Sequence, residues 1–347
     1  MLDETSFAED VANELSLTGN PYGNDVASVV STEESDYAED VAAAINERPT
    51  GTIRVLQYNI GHFNMGMQAG NQCYIGANNA TTQAYPQFFD YTTQLQRWTS
   101  RISGIDADII GLEEYNDNFG YHSGLVSTQN SGIFNGYNLS VGPNECNNWW
   151  QNTIASKLAL SSPSNVYLGS TNNIQAYLRV AKLNINSTEI WFACTHLNWN
   201  NPSGTGGASA SYASRQKELK ECVKWLQDKS HVILVGDFNT TGPVEGTTEE
   251  RRLQGLAEFD IFLNGFTESG VTYDGGCTLA NSTLDSRYTS PSTGSRPDQS
   301  PSTSPNWYLD NIIVKGFTMS NITVVDDGTI TDHCGLYCDL TLIDNEQ

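Results

Sequence analysis

One apolar run constrains this chain more than any other feature: Val232-Ile233-Leu234-Val235-Gly236, which continues into Asp237-Phe238-Asn239. Such an uninterrupted aliphatic stretch reads as a strand buried on both faces. Gly236 permits another backbone to approach closely, and Asp237 and Asn239 alternate onto one side of the strand. A plain turn after the strand is the simpler reading of the same residues. Other segments repeat the theme of a strand that carries a group a core would reject. Val55-Leu56-Gln57-Tyr58-Asn59-Ile60 ends near an Asn, and Ile109-Ile110-Gly111-Leu112-Glu113-Glu114 ends in paired carboxylates. Phe192-Ala193-Cys194-Thr195-His196-Leu197 holds an imidazole inside an apolar run. Tyr308-Leu309-Asp310-Asn311-Ile312-Ile313 sets an acid beside a strand, and Thr331-Asp332-His333 adds an acid and an imidazole. Taken singly, each has an ordinary reading: an Asn satisfying a turn, a solvated strand end, a hydrogen-bonded core histidine.

The 347 residues suffice for one large domain or two ordinary ones. Charge is lopsided, with 40 Asp+Glu against 17 Lys+Arg and a formal net of -23. Such a surface repels polyanions at long range and disfavours a nucleic-acid coat protein. It is compatible with an enzyme that recruits cations to a carboxylate cluster, because a bound metal inverts the local field. Seven cysteines form no dense framework and are read as reduced, with Cys194 and Cys222 as small core residues and the state of Cys73 and Cys146, in polar loops, left open. The acidic start, Met1-Leu2-Asp3-Glu4, lacks the basic region of a secretory signal, and no apolar run reaches membrane-spanning length. The chain is therefore read as soluble, cytoplasmic or virion-associated, or secreted if a signal had been trimmed.

Residues 1–50 stand apart, with twelve acidic residues and one basic, Arg48. Ser6-Phe7-Ala8-Glu9-Asp10-Val11-Ala12 is echoed by Asp36-Tyr37-Ala38-Glu39-Asp40-Val41-Ala42, which gives two short helices with narrow apolar stripes. They are expected to pair, to dock on another chain, or simply to form a solvated leader. Residues 51–347 form the second expected domain, in which strands and helices alternate. Strands are expected at 52–60, 107–114, 152–160, 176–183, 189–197, 231–239, 311–315 and 338–343. Helices are expected at 88–102, 211–228 and 248–263, the second carrying a basic cluster of Arg215, Lys217, Lys220, Lys224 and Lys229. Long polar loops cover 61–86 and 286–305.

In this order the segments resemble the endonuclease/exonuclease/phosphatase superfamily, which includes deoxyribonuclease I, over about residues 52–343. The resemblance implies an α/β fold, a four-layer α/β/β/α sandwich of two packed mixed sheets, here with an acidic N-terminal extension. It implies a site at one rim that hydrolyses a phosphate ester using a divalent cation. Mg²⁺ suits such a site, with Mn²⁺ or Ca²⁺ as alternatives. Carried onto this sequence, Glu114 resembles the principal metal carboxylate, with Asn59 beside it and Asp332 assisting. Asp237 orients and deprotonates the attacking water, and Asn239 holds that water or the phosphate. His333 binds a phosphate oxygen or protonates the leaving group, paired to Asp310, and His196 is the second active-site histidine. Asn152 and Asn198 are expected on the substrate side. Two positions depart from the family pattern: Glu113 stands where a Gln is usual, and Gly335 where a Pro is common.

Loops choose the substrate. DNA or RNA cleavage is the leading expectation, with Trp149 and Trp150 available to stack on a base. A small-molecule or lipid head-group phosphodiesterase is the second. The third belongs to another class, a docking component of an assembly such as a virion, acting through residues 1–50.

Overall fold

In the computed structural model the described residues are 51–61, 91–115, 131–144, 151–171, 174–198, 207–240, 255, 257–280, 309–325 and 333–343. The paired helices expected in residues 1–50, the loop 61–86 beyond Gly61, the loop 286–305, the first part of the helix expected at 248–263, and Trp149, Trp150 and Asp332 lie outside them.

The strands are β1 (Thr52–Asn59), β2 (Ile109–Tyr115), β3 (Asn138–Asn144), β4 (Gln151–Ser156), β5 (Ser161–Thr171), β6 (Ile174–Ile185), β7 (Thr188–His196), β8 (Val232–Asp237), β9 (Phe266–Glu268), β10 (Val271–Tyr273), β11 (Thr278–Leu279), β12 (Asp310–Lys315), β13 (Phe317–Val325) and β14 (Gly335–Leu342). The helices are α1 (Tyr91–Ile105), α2 (Gly207–Leu226) and the short α3 (Asp260–Asn264). One six-stranded sheet runs β13-β14-β1-β2-β4-β3, the other β11-β12-β8-β7-β6-β5, and β9 and β10 form a separate hairpin. Each sheet holds one parallel pair, β1 with β2 and β7 with β8. α1 and α2 are the helices of these two crossovers, as parallel neighbours require.

Three apolar clusters show how the layers stack. Val55, Ile109, Phe192, Val235, Ile312 and Leu340 fill the space between the sheets. Leu178, Leu234 and Phe238 pack under α2 through Leu219, Cys222 and Val223. Leu56, Ile110 and Leu112 pack under α1 through Trp98 and Ile102. The result is the four-layer α/β/β/α sandwich. Because each central strand is covered on both faces, its sequence is nearly continuous in apolar residues.

The sheets approach closely at Gly111, where an added Cβ would lie 2.1 Å from Val235 Cγ2. Gly236 is crowded within its own sheet, 2.2 Å from the Thr195 carbonyl oxygen by the same construction. Gly335 faces the Tyr58 ring, whose Cε1 would be 3.0 Å from such a Cβ. β1 is tied to β14 by a buried bidentate pair, with Arg54 Nε 2.7 Å from Asp339 Oδ1 and Nη2 3.0 Å from Oδ2.

The central strands fall where their apolar runs put them, whereas β3, β5 and β13 were not anticipated. β3 and β13 border one sheet and β5 the other. Edge strands keep polar residues, and Pro143 and Pro163 are tolerated there because an edge N–H needs no ladder partner. The expected basic cluster on α2 also changes: Arg215 is fully buried, donating to Glu258 from Nε at 2.8 Å and Nη2 at 2.9 Å. The five described cysteines, Cys194, Cys222, Cys277, Cys334 and Cys338, are buried thiols that form no disulfide among the described residues. Among the described residues no helix is long and apolar enough to cross a membrane.

Gly111→Ala is expected to lower stability in urea by about 1–3 kcal/mol, the usual cost of overpacking. Combined with Val235→Ala, the loss should be smaller than the two single losses added.

Candidate active site

Five strands meet at one rim, where β1, β2, β7 and β8 end and β12 begins. β1 and β2 are paired with Asn59 opposite Glu113, β7 and β8 with His196 opposite Asp237, and β8 and β12 with Asp237 opposite Asp310. His333 lies just before β14. The sheet packing therefore brings Asn59, Glu114, His196, Asp237, Asp310 and His333 to one place.

Asp237 Oδ2 is the point of convergence. Asn59 Nδ2 donates to it at 3.0 Å, and the Nε2 atoms of His196 and His333 each lie 3.5 Å away. Its other oxygen, Oδ1, accepts the Asn239 backbone N–H at 2.9 Å. Asn59 Nδ2 is also 3.4 Å from Glu114 Oε1 and 3.4 Å from His333 Nε2, while Asn59 Oδ1 accepts the Gly61 N–H. His333 Nδ1 lies 2.9 Å from Asp310 Oδ2, which turns Nε2 toward Asp237. Ligand atoms of Asp237, Asp310 and His333 lie within 4.8 Å of one another. Two carboxylates that close repel by about 4 kcal/mol at an effective dielectric constant near 20, so the cluster favours a cation. Its carboxylates, with Glu114 adjoining, are the hard oxygen donors that Mg²⁺ or Mn²⁺ prefers.

Two of these residues have left-handed backbone: Glu114 at φ 53° and Asn239 at φ 50°. At Glu114 the pairing of β2 with β4 is irregular between Leu112 and Tyr115. Strict alternation would send Glu113 inward and Glu114 toward α1. The bulge instead leaves Glu114 Oε1 beside Asn59 at the rim. Strained conformations of this kind cluster at functional sites.

Glu113 does not join Glu114. It is fully buried between the sheets, where Gln57 Nε2 donates to Oε2 at 2.7 Å and the Cys194 thiol donates to Oε1 at 3.2 Å. The same Gln57 nitrogen reaches Asp310 Oδ1 at 2.8 Å. Burial, reinforced by the nearby Asp310 charge, pushes the Glu113 carboxyl well above the usual carboxylate range. Gln57 thus links the base of the site across both sheets, a role the sequence analysis missed. The available signal was its position two residues from Asn59, on the same face of β1.

The remaining residues are held by the protein's own groups. Asn239 Nδ2 donates to the Leu197 carbonyl at 2.9 Å, and Asn152 Nδ2 to the Tyr177 carbonyl at 3.1 Å. The Asn198 backbone N–H and side-chain amide both reach the Glu218 carboxylate on α2. Burial raises the Glu218 carboxyl above its ordinary range, and the Asn198 hydrogen bonds oppose the rise.

The family model described as the Endonuclease/Exonuclease/phosphatase family matches residues 56–333. No curated protein sequence matches the chain. Solved structures do. A humanized D. rerio TDP2 carrying 14 mutations superposes with a TM-score of 0.54 at 13% identity, covering 84% of this chain and 100% of that one. D. rerio TDP2 complexed with a single-strand DNA product gives 0.55 at 11% identity, covering 84% and 99%. An endonuclease/exonuclease/phosphatase from Beutenbergia cavernae gives 0.53 at 17% identity, covering 84% and 72%. The chain belongs to the endonuclease/exonuclease/phosphatase family and is a phosphoric ester hydrolase.

Two expectations follow from the backbone and the buried acid. Glu114→Gly should exceed Glu114→Ala in stability by about 1–2 kcal/mol, since glycine adopts the left-handed region without the Cβ penalty; urea unfolding of the two variants measures this. Glu113, with its folded pKa raised, contributes stability at acid pH that is lost as pH rises through that folded pKa. Glu113→Gln should therefore gain on the wild type as pH rises from about 4.5, the ordinary glutamate value, toward neutrality, read as the difference in urea midpoints.

Proposed function

We propose that the protein hydrolyses phosphodiester bonds in nucleic acid with a bound divalent cation, Mg²⁺ foremost. The observation that carries this reading is the ring of donors around Asp237 Oδ2, which joins an amide and two imidazoles from separate chain segments. Glu114 would hold the cation, with Asn59 or Asp332 assisting. When bound, the cation neutralises charge on a non-bridging phosphate oxygen.

The chain's own residues supply the rest. Asp237 accepts a proton from the attacking water, and the Asn239 N–H on its other oxygen keeps the carboxylate in place. His196 and His333 offer N–H groups to the phosphate, where negative charge grows in the transition state. Asp310 holds His333 through Nδ1, fixing the ring so that Nε2 faces the phosphate and the departing oxygen. Asn152 and Asn198 line the substrate side and are themselves positioned by Tyr177 and Glu218.

Nucleic acid is favoured as substrate because a protein of the same fold, D. rerio TDP2, forms a complex with a single-strand DNA product. The formal net charge of -23 favours a second reading, a small or lipid-derived phosphodiester that is not repelled at long range.

Plasmid and oligonucleotide should be cut in Mg²⁺. Asp237→Asn should lower kcat by roughly 10²–10⁴-fold, the range for removal of a positioned acid–base group, and Glu114→Ala should abolish the Mg²⁺-dependent cleavage. Intact plasmid in Mg²⁺, Mn²⁺ and Ca²⁺, with turnover of bis-nitrophenyl phosphate or sphingomyelin, would favour the second reading.

A further inference from the structure

The active-site row does not stop at His196. Across the second sheet Asp310 is level with Asp237, and Asp237 with His196. Leu178 pairs with Thr195, which leaves Tyr177 level with His196, and Tyr167 pairs with Tyr177. One transverse line therefore runs Asp310, Asp237, His196, Tyr177, Tyr167 over five adjacent strands. Residues directly opposite in a ladder point to the same face. That face is the one toward the other sheet, since Ile312, Val235, Cys194 and Ala181, each two or four residues along its strand from the line, all belong to the inter-sheet cluster.

The two tyrosines meet at 5.5 Å between ring centroids with planes tilted by 59°. Tyr167 is 55% exposed, an unusual amount for a large aromatic residue in a strand. The backbone beneath is held firmly. The Tyr177 carbonyl accepts from Asn152 Nδ2 at 3.1 Å and from Thr195 Oγ1 at 3.0 Å. Two residues along β6, Arg179 reaches Ser140 of the facing sheet through Nη2 at 2.9 Å and Asn165 through Nη1 at 3.0 Å. With strands about 4.8 Å apart, Tyr177 stands about 10 Å and Tyr167 about 14 Å from Asp237 along the row. That is the distance from a phosphate to a base one or two nucleotides further along the strand.

We propose that Tyr167 and Tyr177 form a stacking subsite for a nucleobase one or two nucleotides from the scissile phosphate, which makes them substrate-positioning residues. The proposal rests on the nucleic-acid reading and deepens it. A stacked pair is sequence-tolerant, because every base has a π-face, and the exposed ring of Tyr167 offers its open side. The competing explanation is a cross-strand aromatic pair that only stabilises edge strand β5.

The test uses short oligothymidylates in which one linkage is a phosphodiester and the others are methylphosphonates, so the cut phosphate is known. One carries all its bases; others lack the first or second base on either side of that phosphate. The wild type should prefer the intact oligonucleotide over one abasic analogue by roughly tenfold or more in kcat/KM, expressed in KM. Tyr167→Thr and Tyr177→Thr should collapse that ratio toward one, and Tyr167→Trp should retain it. If the variants lose activity equally on intact and abasic substrates, or keep the full ratio, the subsite is overturned while the nuclease reading stands. If the wild type cuts no oligonucleotide yet turns over bis-nitrophenyl phosphate, the nucleic-acid reading falls and the subsite with it.

Discussion

Everything at the rim depends on the Asp237 carboxylate being shared between the two sheets. Its Oδ2 faces an amide from β1, an imidazole from the end of β7 and another from just before β14, and its Oδ1 is held by its own chain at Asn239. None of these groups could be placed by one strand alone. A slip of one residue in any ladder would turn its side chain to the opposite face. The catalytic geometry is thus a consequence of register, and register is fixed by the apolar cluster between the sheets. The close approach at Gly111 lets the two layers pack tightly behind the site.

A second polar layer supports the first. Gln57 spans Glu113 and Asp310, so the acid that holds His333 is itself held from the opposite sheet. Burying Glu113 there is costly in its charged form, and its raised pKa keeps it neutral through part of the acidic range. Further out, Glu218 and the Arg215–Glu258 pair fix Asn198 at the exit of β7. Asn59, Asp237, Asp310, His333 and Asn198 are each tethered by a buried partner.

How much of this was legible follows from where each residue sits. The central strands were readable because burial on both faces leaves only aliphatic residues between the functional ends, as in Val232-Ile233-Leu234-Val235. Asn59, Glu114, His196, Asp237, Asp310 and His333 were nameable as chemical groups stranded at the ends of such runs. β3, β5 and β13 were not, since an edge strand bears polar residues and prolines that also describe a loop. With β5 went Tyr167, whose place in the active-site row exists only once the ladder register is known. The bulge at Glu114 was hidden as well, because local sequence gives no sign that a glutamate will adopt a positive φ. Arg215 falls in with the basic cluster of α2 in the sequence because its partner, Glu258, lies 43 residues away.

The central claim is that a hard cation held by Glu114 on one sheet and the Asp237 group on the other close on a single phosphate. Anomalous scattering from crystals soaked in Mn²⁺ with a non-hydrolysable phosphodiester locates that ion directly. The expected result is a strong peak bonded to Glu114, with the phosphate between it and the His196–Asp237–His333 group. A peak bound away from Glu114, or a phosphate seated outside the reach of both histidines, would contradict it.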